Sequence, residues 1–144
     1  MRAIALLVTA AALAACAHLP PPKPSASPAA GGTIAQIYYW RAKPGRFDEY
    51  TRYVAEVAEP IDAEGQRNGA FISVTTFVTR DTTSAWTHMR LFVLRDSVQL
   101  REMSAKLDAA GVKLEPDSVK RRIRGEYSAS LRESAGRATV AILR

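Results

Sequence analysis

Hydrophobic and polar positions along the chain follow two periods, and their order predicts the elements. Thr33–Lys43 (TIAQIYYWRAK) is β-branched and aromatic and is closed by Pro44-Gly45, which marks a strand. Phe47, Tyr50, Val54, Val57 and Ile61 then recur at steps of three and four, the spacing of one helix face. Pro60 predicts a kink or an end to that helix, and Gly65 and Gly69 its exit. Ala70–Thr79 and Trp86–Leu94 read as two strands joined by the polar stretch Arg80–Ala85, a hairpin. Arg95-Asp96-Ser97 offers an N-cap to a helix carrying Val98, Leu100, Met103 and Leu107 as far as Gly111. Pro116-Asp117-Ser118 opens another, with Val119, Ile123, Tyr127 and Leu131 as its buried stripe. Gly136 is expected to end it, and Arg137–Arg144 to form the closing strand.

The resulting order, β-α-β-β-α-(α)-β, is the split βαβ arrangement. It predicts an α+β, ferredoxin-like antiparallel sheet with helices on one face and an extra C-terminal helix. Side chains alternate across a strand, which sorts each strand into two faces. The largely aliphatic sets are Ala35, Ile37 and Tyr39; Ile72, Val74 and Val78; and Met89, Leu91 and Val93. They are expected beneath the helices. The opposite face then gathers Tyr38, Trp40, Phe71, Phe77, Trp86 and Phe92 with Gln36, Ser73, Thr75, His88 and Arg90. A face this aromatic calls for a cover, either a second subunit or a ligand.

Three features of the domain carry a resemblance: the strand running into YYWRAKPGRFDEY, the Asn68-Gly69-Ala70-Phe71 entry to the second strand, and the hairpin followed by LFVLRDSVQL. Together they resemble the dimeric α/β-barrel superfamily of the antibiotic-biosynthesis-monooxygenase-like and stress-responsive type. The resemblance covers essentially all of Thr33–Arg144 as a pattern, without an invariant motif. It implies two protomers pairing sheet to sheet around a pocket between sheet and helices. The family includes cofactor-free oxygenases, haem-degrading enzymes and isomerases, and offers no shared catalytic signature to transfer.

Before the domain, Met1-Arg2 is followed by thirteen small or apolar residues, Ala3–Ala15. That run is too short to cross about 30 Å of hydrocarbon as a helix and has the form of a signal peptide. Its end, Leu13-Ala14-Ala15-Cys16, resembles a bacterial lipobox. The resemblance implies cleavage between Ala15 and Cys16 and acylation of Cys16, the chain's single cysteine. Ala17 follows where an inner-membrane signal would carry Asp, so the expected location is the periplasmic face of a Gram-negative outer membrane. The tether Ala17–Gly32 holds five prolines and cannot build a core. The chain of 144 residues thus divides into a removed signal (1–15), an acylated tether (16–32) and a domain (33–144).

Charge and composition narrow the chemistry. The net charge of +6 falls to +4 in the domain, since Arg2 and Lys23 precede it. One cysteine excludes an internal disulfide or a Cys-based zinc cluster, and no phosphate-binding glycine loop, paired metal ligands or nucleophile elbow is present. No metal and no cofactor is expected, and the export signal argues against nucleic acid. His18 in the tether reads as a solvated side chain. His88 and Arg90, two apart, point the same way, and with Tyr38 nearby they could bind a carboxylate or phenolate or relay a proton. The candidate pocket is Tyr38, Trp40, Ser73, Thr75, Trp86, His88, Arg90 and Phe92. The competing reading is that His88 and Arg90 bridge a dimer interface. Lys120, Arg121, Arg122 and Arg124 read as a solvated helix face, with anionic headgroups as the alternative. The expectation is a non-catalytic envelope lipoprotein, homodimeric through its sheet, whose barrel binds a small hydrophobic or aromatic ligand or a partner protein. The alternative is a small cofactor-free monooxygenase-like or isomerase-like enzyme using His88, Arg90 and Tyr38.

Overall fold

The computed structural model describes residues 33–143. Cys16, the lipobox-like Leu13-Ala14-Ala15 before it and the segment expected as a tether lie outside them. Four strands, β1 (Ile34–Ala42), β2 (Ser73–Val78), β3 (His88–Leu94) and β4 (Arg132–Ala141), form one antiparallel sheet in the order β2-β3-β1-β4. Helices α1 (Phe47–Tyr53), α2 (Glu59–Arg67), α3 (Ser97–Leu114) and α4 (Ser118–Leu131) pack on one side of it. This is the ferredoxin-like α+β fold. Asp96 caps α3 by accepting from the Val98 and Gln99 N–H groups, and Asp117 caps α4 by accepting from Val119 and Lys120.

The face assignment is inverted in β1 and β3 but holds in β2, where Val74 and Val78 pair with Phe92 and His88 on the helix-covered side. Residues opposite one another in a ladder share a face, and Gln36, Tyr38 and Trp40 pair with Phe92, Arg90 and His88. Along β3, His88, Arg90, Phe92 and Leu94 are buried while Met89, Leu91 and Val93 are only partly so. The helices therefore cover the polar and aromatic sets of β1 and β3, whereas Ser73, Thr75 and Phe77 of β2 lie on the opposite face. Ile37, Tyr39, Thr75, Phe77, Met89, Leu91 and Val93 share the other face, which no helix covers. The polar groups lie under the helices because the helices supply their partners, Asp62 for Arg90 and Thr51 for His88.

The second correction concerns the first helical region. Pro60 does not end it. A π-helical turn over Val54–Ala58 joins α1 to α2, and the Glu59 N–H reaches back five residues to the Val54 carbonyl. Proline in an uninterrupted helix clashes with the carbonyl four residues earlier; here the widened turn sits just ahead of Pro60, and α2 continues to Arg67. The extra residue also rotates α2 by about 100° relative to a regular helix. The buried positions are Tyr50 and Val54, then Asp62, Glu64 and Gly65, instead of Val57 and Ile61. Asp62 faces the sheet because of that rotation.

Three glycines expected as helix exits have other roles. Gly65 lies inside α2 against α3, where a Cβ would come within 2.7 Å of Leu107 Cδ2. Gly111 lies inside α3. Gly136 is in β4, not at a helix end: α4 stops at Leu131 and β4 begins with the next residue. Its φ of +138° lies where side chains are strained, beside a register shift between Tyr39 and Trp40. Gly69, with φ +78°, does follow the end of its helix. The expected buried stripe of α4 is also corrected. Leu131 is buried with Tyr50 and Val54, whereas Val119 and Ile123 are each 54% exposed. Tyr127, itself exposed, ties α4 to α1 by donating to Glu49 Oε1 at 2.8 Å.

Candidate functional site

A cleft of about 570 Å³ opens between the sheet, the π-interrupted helix, α3 and α4. Its walls include Trp40, Tyr50, Tyr53, Val54, Ile61 and Leu107, with Arg90 and Asp62 among the polar groups. Behind the Arg90–Asp62 pair lies a smaller cavity of about 230 Å³ reached by Val74, Thr76 and Gln66, so both residues line both spaces.

Arg90 sits in the middle of β3 and is 7% exposed; Asp62 is 5% exposed. Arg90 Nη2 and Asp62 Oδ2 form an ion pair. A buried charge without such a partner costs several kcal/mol, so Asp62 is what allows an arginine at this position. Burial lowers the Arg90 pKa from its ordinary value, and the nearby Tyr50 and Glu59 oppose that shift. The guanidinium carbon also lies 5.3 Å from the Phe92 ring centre. Arg90 Nε, buried, has no hydrogen-bond partner among the described residues.

Around the cleft, Arg132 stacks over Trp40 at 4.6 Å and lies 5.7 Å from Tyr50, while its Nε donates to Ser128 Oγ at 3.1 Å. Tyr50 is buried, which disfavours its phenolate and pushes its pKa up to about 12 despite the nearby Arg132 and Arg90. Near neutral pH it is a neutral phenol.

His88 shares the buried face but not the cleft wall. It is fully buried, with the Tyr50 ring 4.4 Å away edge-on and the Phe47 ring at 5.1 Å. Its Nε2 is 3.0 Å from Thr51 Oγ1 and its Nδ1 2.9 Å from Thr87 Oγ1. Thr51 donates its hydroxyl proton to the Phe47 carbonyl at 2.8 Å, so it accepts from Nε2–H. Thr87 accepts from the Ala42 N–H at 2.7 Å and can give its proton to Nδ1. One neutral tautomer thus satisfies every member of the chain. Desolvation drops the His88 pKa from 6.5 to about 4.

The eight residues expected to form one pocket are divided between the two faces. Tyr38, Trp40, His88, Arg90 and Phe92 lie together under the helices, of which only Trp40 and Arg90 line the cleft. Tyr38 stacks on Trp40 at 5.6 Å and packs into the core. Ser73 and Thr75 are on the open face, where Trp86 meets Tyr39 at 6.3 Å. Sequence reasoning does not single out Asp62, Tyr50 or Arg132 as site residues. Asp62 stands outside the regular helical stripe, and only the conjunction of Pro60 with an inward arginine could have pointed to it.

No family model matches this chain, and no curated protein does. Among solved structures, HapK from Hahella chejuensis superimposes with a TM-score of 0.53 at 9% identity, over 76% of this chain and 92% of that one. A conserved protein from Bacteroides thetaiotaomicron, described as a possible oxidoreductase, gives 0.50 at 13% identity over 78% of this chain and 100% of its own. SnoaB, a cofactor-independent oxygenase from Streptomyces nogalater, gives 0.43 at 14% identity over 81% and 96%. At these identities the likeness is one of fold, the ferredoxin-like α+β arrangement described above. Among the described residues no cluster of His, Cys, Asp or Glu could hold a metal ion, and no helix is long and apolar enough to cross a membrane.

This geometry has two measurable consequences. Asp62→Leu should destabilise the protein by about 3–5 kcal/mol by stranding the Arg90 charge. The double variant Asp62→Leu/Arg90→Met should regain most of that loss in urea denaturation; equal or additive losses would show that the two side chains are not coupled. For His88, the folded pKa lies below the unfolded value near 6.5, so the unfolded chain takes up the proton first as pH falls. Its contribution is complete above pH 6.5 and is lost between about 6.5 and 4, amounting to about 3 kcal/mol. A His88→Phe variant should lack that part of the pH dependence in thermal melts, and an unchanged profile would contradict the assignment.

Proposed function

We propose that this chain is a cell-envelope lipoprotein, acylated at Cys16 and held at the periplasmic face of an outer membrane, whose barrel domain binds a small hydrophobic or aromatic ligand. The observation that carries the binding role is the cleft of about 570 Å³ walled by Trp40, Tyr50 and Tyr53. That volume is within the roughly 300–1,000 Å³ of small-molecule sites, and aromatic and aliphatic side chains share its wall with charged ones. The protein acts as a homodimer in this reading. Its support is the uncovered sheet face, where Ile37, Leu91 and Val93 are joined by an exposed Phe77.

A second reading, a cofactor-free monooxygenase-like or isomerase-like enzyme, draws on the description of the Bacteroides protein as a possible oxidoreductase. Of the residues it would use, Arg90 lines the cleft, while His88 and Tyr38 lie off its wall. Binding without catalysis is therefore favoured.

Gly125 of α4 stands at the cleft with nothing within 4 Å of an added Cβ, so a large side chain there fills the mouth without meeting backbone. Titration calorimetry of the purified chain with naphthalene carboxamide, a neutral aromatic probe, should show binding that Gly125→Phe weakens at least about tenfold. No binding, or equal binding by both proteins, contradicts the cleft as the ligand site. Recovery of a chemically altered probe would instead favour the enzyme. Cys16→Ser should move the protein from the membrane to the soluble fraction, where it should sediment at twice the protomer mass. Retention on membranes would contradict the anchor, and a concentration-independent monomer the pairing.

A further inference from the structure

The cleft is lined by four arginines, Arg90, Arg121, Arg124 and Arg132, against two carboxylates, Asp62 and Asp108. Asp62 is committed to Arg90, and Asp108 is exposed on α3. None of the other three arginines makes an ion pair among the described residues. Arg121 Nη1 donates to the carbonyls of Glu115 and Pro116 at 2.8 and 2.7 Å, which fixes it at the link between α3 and α4. Arg132 is held by Ser128 and by the faces of Trp40 and Tyr50. Arg124 has no hydrogen bond or ion pair among the described residues. Gly111 across from it leaves room for its guanidinium, whose Nη2 would stand 3.8 Å from a Cβ there. Like charges gathered in one partly enclosed space repel one another, and the repulsion grows as water is displaced.

The neighbouring basic residue Arg122 behaves differently. It points away to Glu126 at 2.6 Å in an ordinary surface pair. On this helix, the arginine that faces solvent has found a carboxylate, whereas those on the cleft have not. Beneath them, the buried Nε of Arg90 has no hydrogen-bond partner among the described residues. Donors without acceptors are rare in buried positions and need an explanation.

Building on the ligand-binding role proposed for the cleft, we infer that the ligand is an aromatic carboxylate. Its ring lies against Trp40, Tyr50 and Tyr53, and its negative charge among Arg121, Arg124 and Arg132. A planar carboxylate suits the fork of donors that a guanidinium presents, and arginine stacked on aromatic rings also favours a flat partner.

Naphthalene carboxylate and its neutral carboxamide have nearly the same shape and differ in charge, so together they isolate the inference. Calorimetry on the purified chain should give a dissociation constant at least about tenfold lower for the carboxylate, with the gap narrowing as ionic strength rises. Arg124→Gln should weaken the carboxylate by about tenfold and leave the carboxamide within about twofold. Arg124 is the residue to change because it has no partner among the described residues whose loss would disturb the fold. If the two probes bind equally well, or Arg124→Gln weakens both alike, the anion assignment is wrong while the aromatic cleft stands. If neither binds, both fall.

Discussion

An arginine buried in the middle of a strand decides how this protein is put together. Arg90 cannot sit beneath a helical layer without an opposing charge, and Asp62 is the carboxylate that reaches it. Asp62 reaches it because the helix carrying it is widened by a π turn at Val54–Ala58. The widening also lets the chain pass Pro60 without breaking. One local irregularity therefore joins three features: the proline, the rotated inward stripe, and the polar face of the sheet turned toward the helices.

The cleft depends on the same arrangement. Helices that brought only apolar side chains to the sheet could have closed on it. Here they bring Tyr50, Asp62 and the arginines of α4, and small residues at Gly111 and Gly125 hold the wall open. The helix added before β4 supplies one side of the opening. Its C-terminal half is anchored by Leu131 and by Tyr127 on Glu49, and its N-terminal half stays exposed. His88, two residues before Arg90 on the same strand, has both ring nitrogens engaged by threonine hydroxyls and sits behind Tyr50. It belongs to the packing around the cleft and not to its wall.

Much of the architecture is readable from the chain. The strand cores, the hairpin, the helix starts at Arg95-Asp96-Ser97 and Pro116-Asp117-Ser118 and the ferredoxin-like order all come from short-range signals that tertiary context does not override. Sidedness is not readable in this way. Alternation in β3 separates His88, Arg90 and Phe92 from Met89, Leu91 and Val93, but alternation is symmetrical and says nothing about which set faces inward. Choosing the aliphatic set assumes that apolar side chains are buried within one protomer, and that premise fails where the aliphatic face is left to be covered by something else. Glycine misleads for a related reason. Gly65 serves close approach between helices, Gly111 lies inside a helix on the cleft wall and Gly136 marks a strand irregularity, and a sequence does not distinguish these from helix exits. Asp62 is invisible because a regular helical period places it off the buried face.

The buried pair and the cleft above it can be tested together through the NMR signal of the Arg90 Nε–H group, assigned by its loss in Arg90→Lys. A guanidinium buried against Asp62 should give a resolved resonance that exchanges slowly with water. That resonance should shift on titration with naphthalene carboxylate. A rapidly exchanging signal that ignores the ligand would place Arg90 in solvent and contradict both the inward face and the site built on it.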